Sequence, residues 1–429
     1  MKKKYRIILY TSIFLLCVVA SIILVVKKSN SVYEEESKPK VVKHKSMLSM
    51  NLEQTAGSGD YKTVTQSSWP TEGYKFNAEL SKCENGSTLS WDDTKKAVIV
   101  SGNLSDKCYV YFDIYQPTLA EYIKSQYTGT QGENNIYYHD SDLANGAGDN
   151  SYRYAGANPN NFVCFGSDAS PCPIDNLYRI IGVFGENYHG ANGKQLVKLI
   201  KYDYMTTDEL GTDGDYSQTY KEWGMDSTYK GTYGDGERIG VYYWNYKATG
   251  SATNTWSTSL LNKTNLNTNF INNIGTTWAN KIATVTWKVG GNTWANIGTK
   301  TSSVAYTNEI TNPVTTNTTD NATTYSAKIG LMYVSDYGFA ASPDAWTLTM
   351  SSYNNTTATN NNWMYMGLYE WTISRNADYS DYAFNVDYDG YVNNYNVFSN
   401  YGVRASFNLE SSVSYVSGSG SMSDPIVIN

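Results

Sequence analysis

The hydrophobic pattern of the chain begins with one long apolar run. Residues 7–26 are uncharged throughout, and at a rise of about 1.5 Å per residue such a helix matches a hydrocarbon core of about 30 Å. Lys27 and Lys28 follow directly, where a secretory signal would carry small residues for cleavage. The pattern predicts a single N-terminal transmembrane helix, within an uncleaved signal anchor over residues 1–28.

The charges beside this run predict its orientation. Lysines and an arginine crowd residues 2–6, whereas the glutamates at 34–36 follow on the other side. Basic residues stay on the cytoplasmic side of a membrane, so we expect a single-pass cell-membrane protein with its N-terminus inside and its C-terminal domains extracellular. Residues 29–46 are charged and polar without an apolar period, which is typical of a tether.

A first small β domain is predicted over residues 47–114. Short apolar runs at 89–91, 97–100 and 108–112 alternate with turn-forming segments, as in an antiparallel sheet. A core of this size is small, so we expect a covalent link to contribute to its stability.

Four cysteines follow the apolar run, and an even number suits disulfide bonds outside the cytoplasm. Three pairings are possible. We predict the two that join the nearest cysteines, Cys83 with Cys108 and Cys164 with Cys172. The first would join the outer strands of the small domain and contribute about 3 kcal/mol.

The remaining chain predicts a linker and a larger domain. Residues 115–149 are rich in Gly and Asn around one short helical pattern at 118–127, so we expect a linker with a short helix. Residues 150–429 form the second domain. Its pattern predicts a hairpin over about 177–204, and one or two helices over 259–283.

Strands are predicted again towards the carboxyl end. The overall fold class is therefore α+β, with the strands of the second half concentrated after the helices. Five runs carry the strand pattern: 327–335, 368–374, 382–388, 391–398 and 402–409.

Composition and charge exclude several classes of protein. Charged residues make up 17% of the chain and aromatic residues 14%, with 39 tyrosines, against roughly 25% charged in ordinary soluble domains. The net charge is -7, and removing the six basic residues of 1–28 from the total of 33 leaves 27 against 40 acidic residues. A chain this acidic does not predict nucleic-acid binding. A mean hydropathy of -0.47 excludes several membrane spans.

Familiar catalytic and metal-binding motifs are absent from the sequence. There is no CxxC pair, and the three histidines, His44, His139 and His189, lie in unrelated contexts. No GxSxG, P-loop or HExxH motif occurs. We therefore predict no metal site, no cofactor and no enzymatic activity.

The carboxyl-terminal segment 368–409 resembles a known family. Trp371 stands in a strand, Gly390 in a DG hairpin, and Gly402 and Arg404 in a GVR sequence. This set is similar to surface proteins of gut Firmicutes with the formylglycine-generating-enzyme type of C-type lectin fold. The resemblance implies a C-type-lectin-like, or sulfatase-modifying-factor-like, distal domain over 150–429.

Several features of the sequence qualify what the resemblance implies. The sequence departs from the family at Ala405, where proline is usual, and in the order TISR after the tryptophan. The enzymes of this fold carry a cysteine pair near the carboxyl end, whereas the last cysteine here is Cys172. Sugar-binding EPN, QPD and WND motifs are also absent. Arg404 is interpreted as a buried structural arginine.

Some proteins of this fold are the variable targets of diversity-generating retroelements. Residues 376–401 are rich in Asn, Asp, Tyr, Ser and Phe, which adenine-directed changes in Asn codons would produce. An AT-rich genome would favour Asn and Tyr as well, so both explanations stay open.

The pattern around the DG sequence predicts a specific hairpin. A three-residue loop at 388–390 with a left-handed glycine would place Asp387 opposite Tyr391 and Asn385 opposite Asn393. These four side chains then share one face, while Phe384, Val386 and Val392 share the other, which is the expected core side.

An exposed face of tyrosine and asparagine combines rigid contact area with adaptable hydrogen bonding, as in antibody loops. We therefore expect a non-enzymatic, membrane-anchored bacterial surface protein that binds an extracellular protein or glycan. The alternatives are a merely soluble β face on a structural spacer, or a glycan hydrolase with two facing carboxylates about 5 to 9 Å apart. The candidate ligand-binding residues are Asp381, Tyr382, Asn385, Asp387, Tyr391, Asn393 and Tyr395.

Overall fold

The computed structural model describes residues 48–429 except 66–67, 71–72, 104, 186–192, 225–226, 248–251, 314–321 and 355–358. The signal anchor over 1–28 and the tether over 29–46 lie outside the described residues. Within the described part, no helix has both the length and the apolar character that a membrane span requires.

The chain divides into two compact units between Gln116 and Pro117. Strands dominate both, and helices are confined to the second unit as the structure describes it. The predicted α+β class is therefore confirmed. The strands of the first unit are β1 Leu48–Glu53, β2 Tyr61–Val64, β3 Tyr74–Phe76, β4 Lys82–Cys83, β5 Thr88–Asp92, β6 Ala97–Ser101 and β7 Cys108–Ile114.

The first unit is a five-stranded sheet with a separate β5–β6 hairpin. The order of the sheet is β2-β1-β7-β3, and β4 also pairs with β7. Its core centres on Phe112, whose ring lies 5.6 Å from that of Trp91 and 5.9 Å from those of Trp69 and Phe76. Each aromatic side chain covers a large apolar area, which suits so small a core.

One expectation for this unit was wrong. The sheet is mixed rather than antiparallel, because β1 and β7 pair in parallel, with Met50 opposite Val110. Parallel neighbours need a long connection, and the segment from β2 to β6 provides it. Because β7 also pairs with β3 and β4, it is an inner strand rather than the outer strand that we expected.

Both predicted disulfides are present. Cys83 is bonded to Cys108, linking β4 to β7 where the two residues face each other. Cys164 is bonded to Cys172 across a loop of the second unit.

The second unit contains the remaining elements. Its strands are β8 Ile136–His139, β9 Ser151–Tyr154, β10 Phe162–Cys164, β11 Leu177–Phe184, β12 Leu196–Lys201, β13 Tyr216–Thr219, β14 Gly240–Tyr242, β15 Val285–Lys288, β16 Thr324–Ala327, β17 Ile329–Gly330, β18 Glu370–Arg375, β19 Tyr382–Val386, β20 Val392–Asn396, β21 Ser406–Asn408, β22 Tyr415–Ser417 and β23 Val427–Ile428.

The helices of this unit are short. They are α1 Leu119–Ser125, α2 Thr207–Leu210, α3 Tyr220–Trp223, the π-helical α4 Leu261–Phe270, α5 Ile271–Ala279, α6 Ser302–Tyr306, the π-helical α7 Thr307–Thr311 and α8 Val334–Ala340. Single 3₁₀ turns span Glu133–Asn135, Ile174–Asn176, Trp256–Thr258, Trp294–Asn296, Pro343–Thr347 and Met350–Ser352.

The main sheet of the second unit is built on the predicted hairpin. The strand order is β17-β21-β12-β11-β9-β8, with β10 also paired to β11. Every residue of β11 and β12 is buried, as expected for strands covered on both faces. The prediction of a hairpin over 177–204 is confirmed, and so are the helices within 259–283.

The segment 115–149 is not a linker. Thr118 and Glu121 form a reciprocal capping box that starts α1, and Leu119 and Ile123 are buried in the core of the second unit. Strand β8 pairs with β9 in the main sheet. The apolar side of a short amphipathic helix must be buried somewhere, and here the neighbouring sheet buries it.

The predicted strand over 327–335 is only half correct. Its first part forms β17, but from Val334 the chain is helical. The carboxylate of Asp336 accepts the backbone N–H of Tyr333 at 2.9 Å, which caps the start of α8. The apolar run concealed this helix start.

The second unit buries an unusual set of charged side chains. Arg153 pairs with Asp149 at 2.6 Å, and Lys198 with Asp336 at 2.5 Å. Glu309 is also buried. Its carboxylate accepts the backbone N–H groups of Val334 and Ser335 at the start of α8, at 2.9 and 3.0 Å, and the hydroxyl of Ser374.

Burial raises the pKa of Glu309 from 4.5 to about 7. The folded state therefore keeps this proton between pH 4.5 and 7, where the unfolded chain loses it. We expect the contribution of protonated Glu309 to the free energy of unfolding to be fully present below about pH 4.5. The free energy of unfolding should then fall by roughly 3 kcal/mol as the pH rises to 7.

Urea unfolding of the wild type and of Glu309→Gln between pH 4.5 and 8 measures this contribution. The variant is expected to lose that part of the pH dependence, whereas Glu410→Gln, at a half-buried site in a salt bridge with Lys194, serves as the control. An identical pH profile for the wild type and Glu309→Gln would show that the prediction is wrong.

Candidate functional site

The candidate site is built on the three-stranded sheet β18-β19-β20. Asn385 lies opposite Asn393, and the Asp387 N–H donates to the Tyr391 carbonyl at 2.9 Å. Gly390 closes the loop with φ of 99°. The predicted register and the left-handed glycine are therefore confirmed.

Gly390 is required for two physical reasons. Its φ is unfavourable for other residues, and an added Cβ would lie 2.6 Å from Thr359 Cγ2 and 3.2 Å from the Tyr353 carbonyl oxygen. We expect Gly390→Ala to lower the free energy of unfolding by about 2 kcal/mol. Chemical denaturation measures this loss.

Gly148→Ala is the matched control for that substitution. Gly148 also has a positive φ, 66°, but among the described residues other than its two chain neighbours no heavy atom lies within 4 Å of an added Cβ. It should therefore show the backbone cost alone, about 1 kcal/mol. Equal losses in the two variants would show that the contacts around Gly390 contribute nothing.

The core side of the sheet is as predicted, but the opposite face is not fully exposed. Phe384, Val386 and Val392 are buried. Asn385 and Asp387, which we expected on an exposed face, are also buried, with 0% and 1% of their surface accessible. Aromatic rings from outside the hairpin surround this face, and their positions depend on tertiary packing.

Asp387 is the centre of a hydrogen-bond network on this face. Its carboxylate accepts the side-chain amides of Asn385 at 2.6 Å and of Asn393 at 3.4 Å. The Tyr391 hydroxyl also hydrogen-bonds to it. Tyr391 and Asn393 are half-buried. The four predicted residues therefore meet in one network, two buried beneath and two towards solvent.

Burial raises the pKa of Asp387 above that of an ordinary aspartate. The neighbouring Asp389 raises it further, whereas the hydrogen bonds lower it. The charge of Asp387 in turn reaches the surrounding rings. Burial is the main cause of the raised pKa values of Tyr369, Tyr395 and Tyr401, and the charge of Asp387 raises them further, that of Tyr369 to about 12.

Five aromatic side chains are linked by ring contacts beside this network, and we call them the aromatic rim: Trp223, Tyr369, Tyr388, Tyr395 and Tyr401. Tyr369 stacks on Tyr401 at 4.9 Å and contacts Tyr388 at 5.3 Å. Tyr395 lies 5.9 Å from Tyr401, and Trp223 lies 5.4 Å from Tyr369. Trp223 and Tyr395 are 38% and 37% exposed, so the rim is open to solvent in part.

Three elements hold the rim in place. Trp223 ends α3, whose start is capped by Thr219. Tyr401 forms a bridge with Tyr242 in β14. The Tyr242 carbonyl also accepts the indole N–H of Trp371 at 2.9 Å, and the Trp371 ring lies 4.5 Å from that of Tyr401.

Of the seven predicted ligand-binding residues, four form this network and Tyr395 belongs to the aromatic rim, whereas Tyr382 and Asp381 lie outside both. Tyr382 lies on the other face of β19, where it pairs with Asn396 and its hydroxyl accepts the Asn396 amide at 3.4 Å. Asp381 precedes the strand, and its carbonyl accepts the N–H of Val397. An alternation of period two predicts this separation for Tyr382.

Four of the five rim residues are not among the candidates predicted from the sequence: Trp223, Tyr369, Tyr388 and Tyr401. The three tyrosines lie within the segment 368–409, and their position in or next to predicted strands was an available signal. Trp223 has no such signal, because it lies far from the hairpin in sequence.

The motif residues Trp371, Gly402 and Arg404 are structural. All three are buried. A Cβ on Gly402 would lie 2.7 Å from the Tyr204 ring, so this glycine permits close packing. Arg404 is bonded to Glu370 and to a backbone carbonyl, which agrees with its interpretation as a structural arginine.

Among the described residues, no group of three or more His, Cys, Asp or Glu side chains is placed to hold a metal ion. Comparison of the chain with protein-family models, curated proteins and solved structures finds no match. The resemblance to the C-type lectin fold therefore stays a prediction based on the motifs.

Proposed function

We propose that this protein is a membrane-anchored bacterial surface protein whose second unit binds an extracellular protein or glycan. The binding site is the network around Asp387 together with the aromatic rim. The observation that carries the proposal is the arrangement itself, in which partly exposed aromatic rings lie beside a polar network of one carboxylate and two amides.

This combination is typical of recognition surfaces. Tyrosine and tryptophan supply rigid contact area and a polar group, and amides adapt their hydrogen bonds to the ligand. The apolar run at 7–26 and the two disulfides support a location outside the cytoplasm. The motifs of 368–409 support a C-type-lectin-like domain as the carrier of the site.

The geometry of the hairpin specifies which positions could vary if the segment is diversified. Within 376–401, the half-buried or exposed positions Tyr388, Tyr391, Asn393 and Tyr395 can change without disturbing the core, whereas Asp387 cannot. Sequencing the locus in sister strains tests this: variation should concentrate at the accessible positions. Identical codons across 376–401 would contradict the hypothesis.

Glycan and protein arrays probed with the full-length protein in detergent test the proposed function. We expect Tyr391→Ala combined with Asn393→Ala to abolish binding, because these two side chains lie towards solvent over Asp387. Tyr379→Ala, at a 57% exposed tyrosine outside the rim, is the control and should bind normally. Binding unaffected by the double substitution would move the site elsewhere.

A further inference from the structure

Asp387 is a buried carboxylate without a cationic partner. Its hydrogen bonds come from the neutral side chains of Asn385, Tyr391 and Asn393, and no ion pair involves it among the residues that the structure describes. The neighbouring carboxylate of Asp389 has the same negative charge, so it repels Asp387 instead of compensating its charge.

The other buried carboxylates described in the same unit have either a basic partner or backbone N–H donors. Asp149 and Glu370 each pair with an arginine, at 2.6 and 2.8 Å, whereas Asp203, Asp215 and Glu309 accept backbone N–H groups. The hydrogen bonds that the side chain of Asp387 accepts come from side chains alone. A buried charge without an opposite charge is costly even when neutral donors satisfy its oxygens. A cation supplied by a ligand would provide the missing attraction.

A second, independent feature of the site is an unused acceptor. The side-chain amide nitrogen of Asn385 donates to Asp387 at 2.6 Å, but the amide oxygen is buried and accepts no hydrogen bond from the residues that the structure describes. Buried polar atoms normally have partners. The site thus holds a buried carboxylate and, on the side chain bonded to it, an unused amide oxygen, both of which bind hydrogen-bond donors.

The aromatic rim offers the third component. Elsewhere the chain places its own cations over tyrosine rings, as with Lys198 over Tyr333 at 4.4 Å and Lys230 over Tyr365 at 4.3 Å. In the described part of the chain, no lysine or arginine lies over any of the five rim rings. Ring faces attract cations, and those of the rim are not used in this way.

We propose that the aromatic rim and Asp387 recognise a cationic group, an ammonium or guanidinium, on the ligand. This inference rests on the proposed function and narrows its ligand class. The acidic balance of the chain after residue 28, with 27 basic against 40 acidic residues, favours the approach of a cation.

A ligand can reach the carboxylate only if the side chains above it move. Tyr391 and Asn393 are half-buried, and the proposal requires both to give up their hydrogen bonds to Asp387 and rotate away from it. The ligand cation then donates to Asp387 and to the Asn385 oxygen. The bond between Asn385 and Asp387 stays in place and holds both acceptors in position.

The test compares cationic probes with neutral analogues of the same shape. Isothermal titration of the full-length protein in detergent uses Nα-acetyl-lysine methylamide and Nα-acetyl-norleucine methylamide as one pair. Glucosamine and glucose, which has a hydroxyl group in place of the ammonium, form the other pair, so that the two arms distinguish a protein side chain from an amino sugar. At least one cationic probe is expected to bind about tenfold or more tightly than its neutral analogue.

Asp387→Asn should reduce that preference for the cation to near unity. Asp344→Asn removes the same charge from an exposed site elsewhere in the unit and should leave the preference unchanged. Equal binding of cationic and neutral probes to the wild type would overturn the inference without any variant. So would an unchanged preference in Asp387→Asn.

Different results would contradict the proposed binding function and the proposed recognition of a cation. If array binding depends on Tyr391 and Asn393 but no cationic probe is preferred, the proposed function stands and the cation is excluded. In the opposite case, the protein prefers the cationic probe and Asp387→Asn abolishes that preference, but array binding does not depend on Tyr391 and Asn393. The cation site then stands, and the natural ligand binds elsewhere.

Discussion

Arg404→Met is expected to lower the free energy of unfolding of the second unit by about 3 to 5 kcal/mol. Arg404 Nε donates to Glu370 Oε1 at 2.8 Å and Nη2 to Oε2 at 2.9 Å, while Nη2 also donates to the Met364 carbonyl at 2.6 Å. Both side chains of the pair are buried. Removing the arginine leaves Glu370 as an unpaired charge in the core, which is the costly case.

The loss of Arg404 is also expected to affect the candidate site. Glu370 lies between Tyr369 and Trp371 on β18, and it forms a bridge with Gly402. Displacing β18 would separate the rim from Asp387. Chemical denaturation measures the stability, and the emission of the protein's tryptophans reports on the packing of this region.

Arg404→Lys is the graded comparison for this prediction. Lysine retains the charge but not the planar fork that matches a carboxylate, so an intermediate loss is expected. A loss below about 1 kcal/mol in Arg404→Met would mean that Glu370 finds water or another donor, and the prediction would then be wrong.

Asp336→Asn is expected to cost about 3 to 5 kcal/mol as well. Lys198 and Asp336 are both completely buried, and Nζ lies 2.5 Å from Oδ2. The rings of Tyr333 and Trp287 lie 4.4 and 5.3 Å from the ammonium. These ring contacts are weaker than the ion pair, so without the carboxylate the buried ammonium lacks its main partner.

The double variant Lys198→Met with Asp336→Asn distinguishes the cost of an unpaired buried charge from the cost of altered packing, because it removes both charges and keeps similar side-chain volumes. Asparagine at 336 can still accept the N–H of Tyr333 and cap α8, and methionine fills the volume of the lysine stem. We therefore expect the double variant to recover most of the stability in urea unfolding. A double variant as unstable as Asp336→Asn would show that the pair contributes through packing rather than charge.

The hairpin around Gly390 shows what local pattern can predict. The alternation of Phe384, Val386 and Val392 with polar residues, and one glycine in the turn, allowed a single register. The structure has that register. The disulfides were also predictable, because cysteines close in sequence meet at low entropic cost.

Capping fixes the start of two helices. The reciprocal capping box of Thr118 and Glu121 begins α1, the short helix that the pattern at 118–127 predicts, and Asp336 begins α8 within a predicted strand. The start of α8 was not predicted, because a short apolar run cannot be divided between helix and strand by periodicity.

The sequence by itself determined the hairpin over 177–204 and the register, turn and core face of the hairpin around Gly390, because each depends on neighbours within a few residues along the chain. It also determined the disulfides, which join the cysteines nearest in sequence. Tertiary structure alone decided that Asn385 and Asp387 are buried, that Trp223 joins the rim, and that Arg404 meets Glu370. These outcomes depend on which distant segments pack together, and a close-packed interior is determined by the shapes of all its members at once.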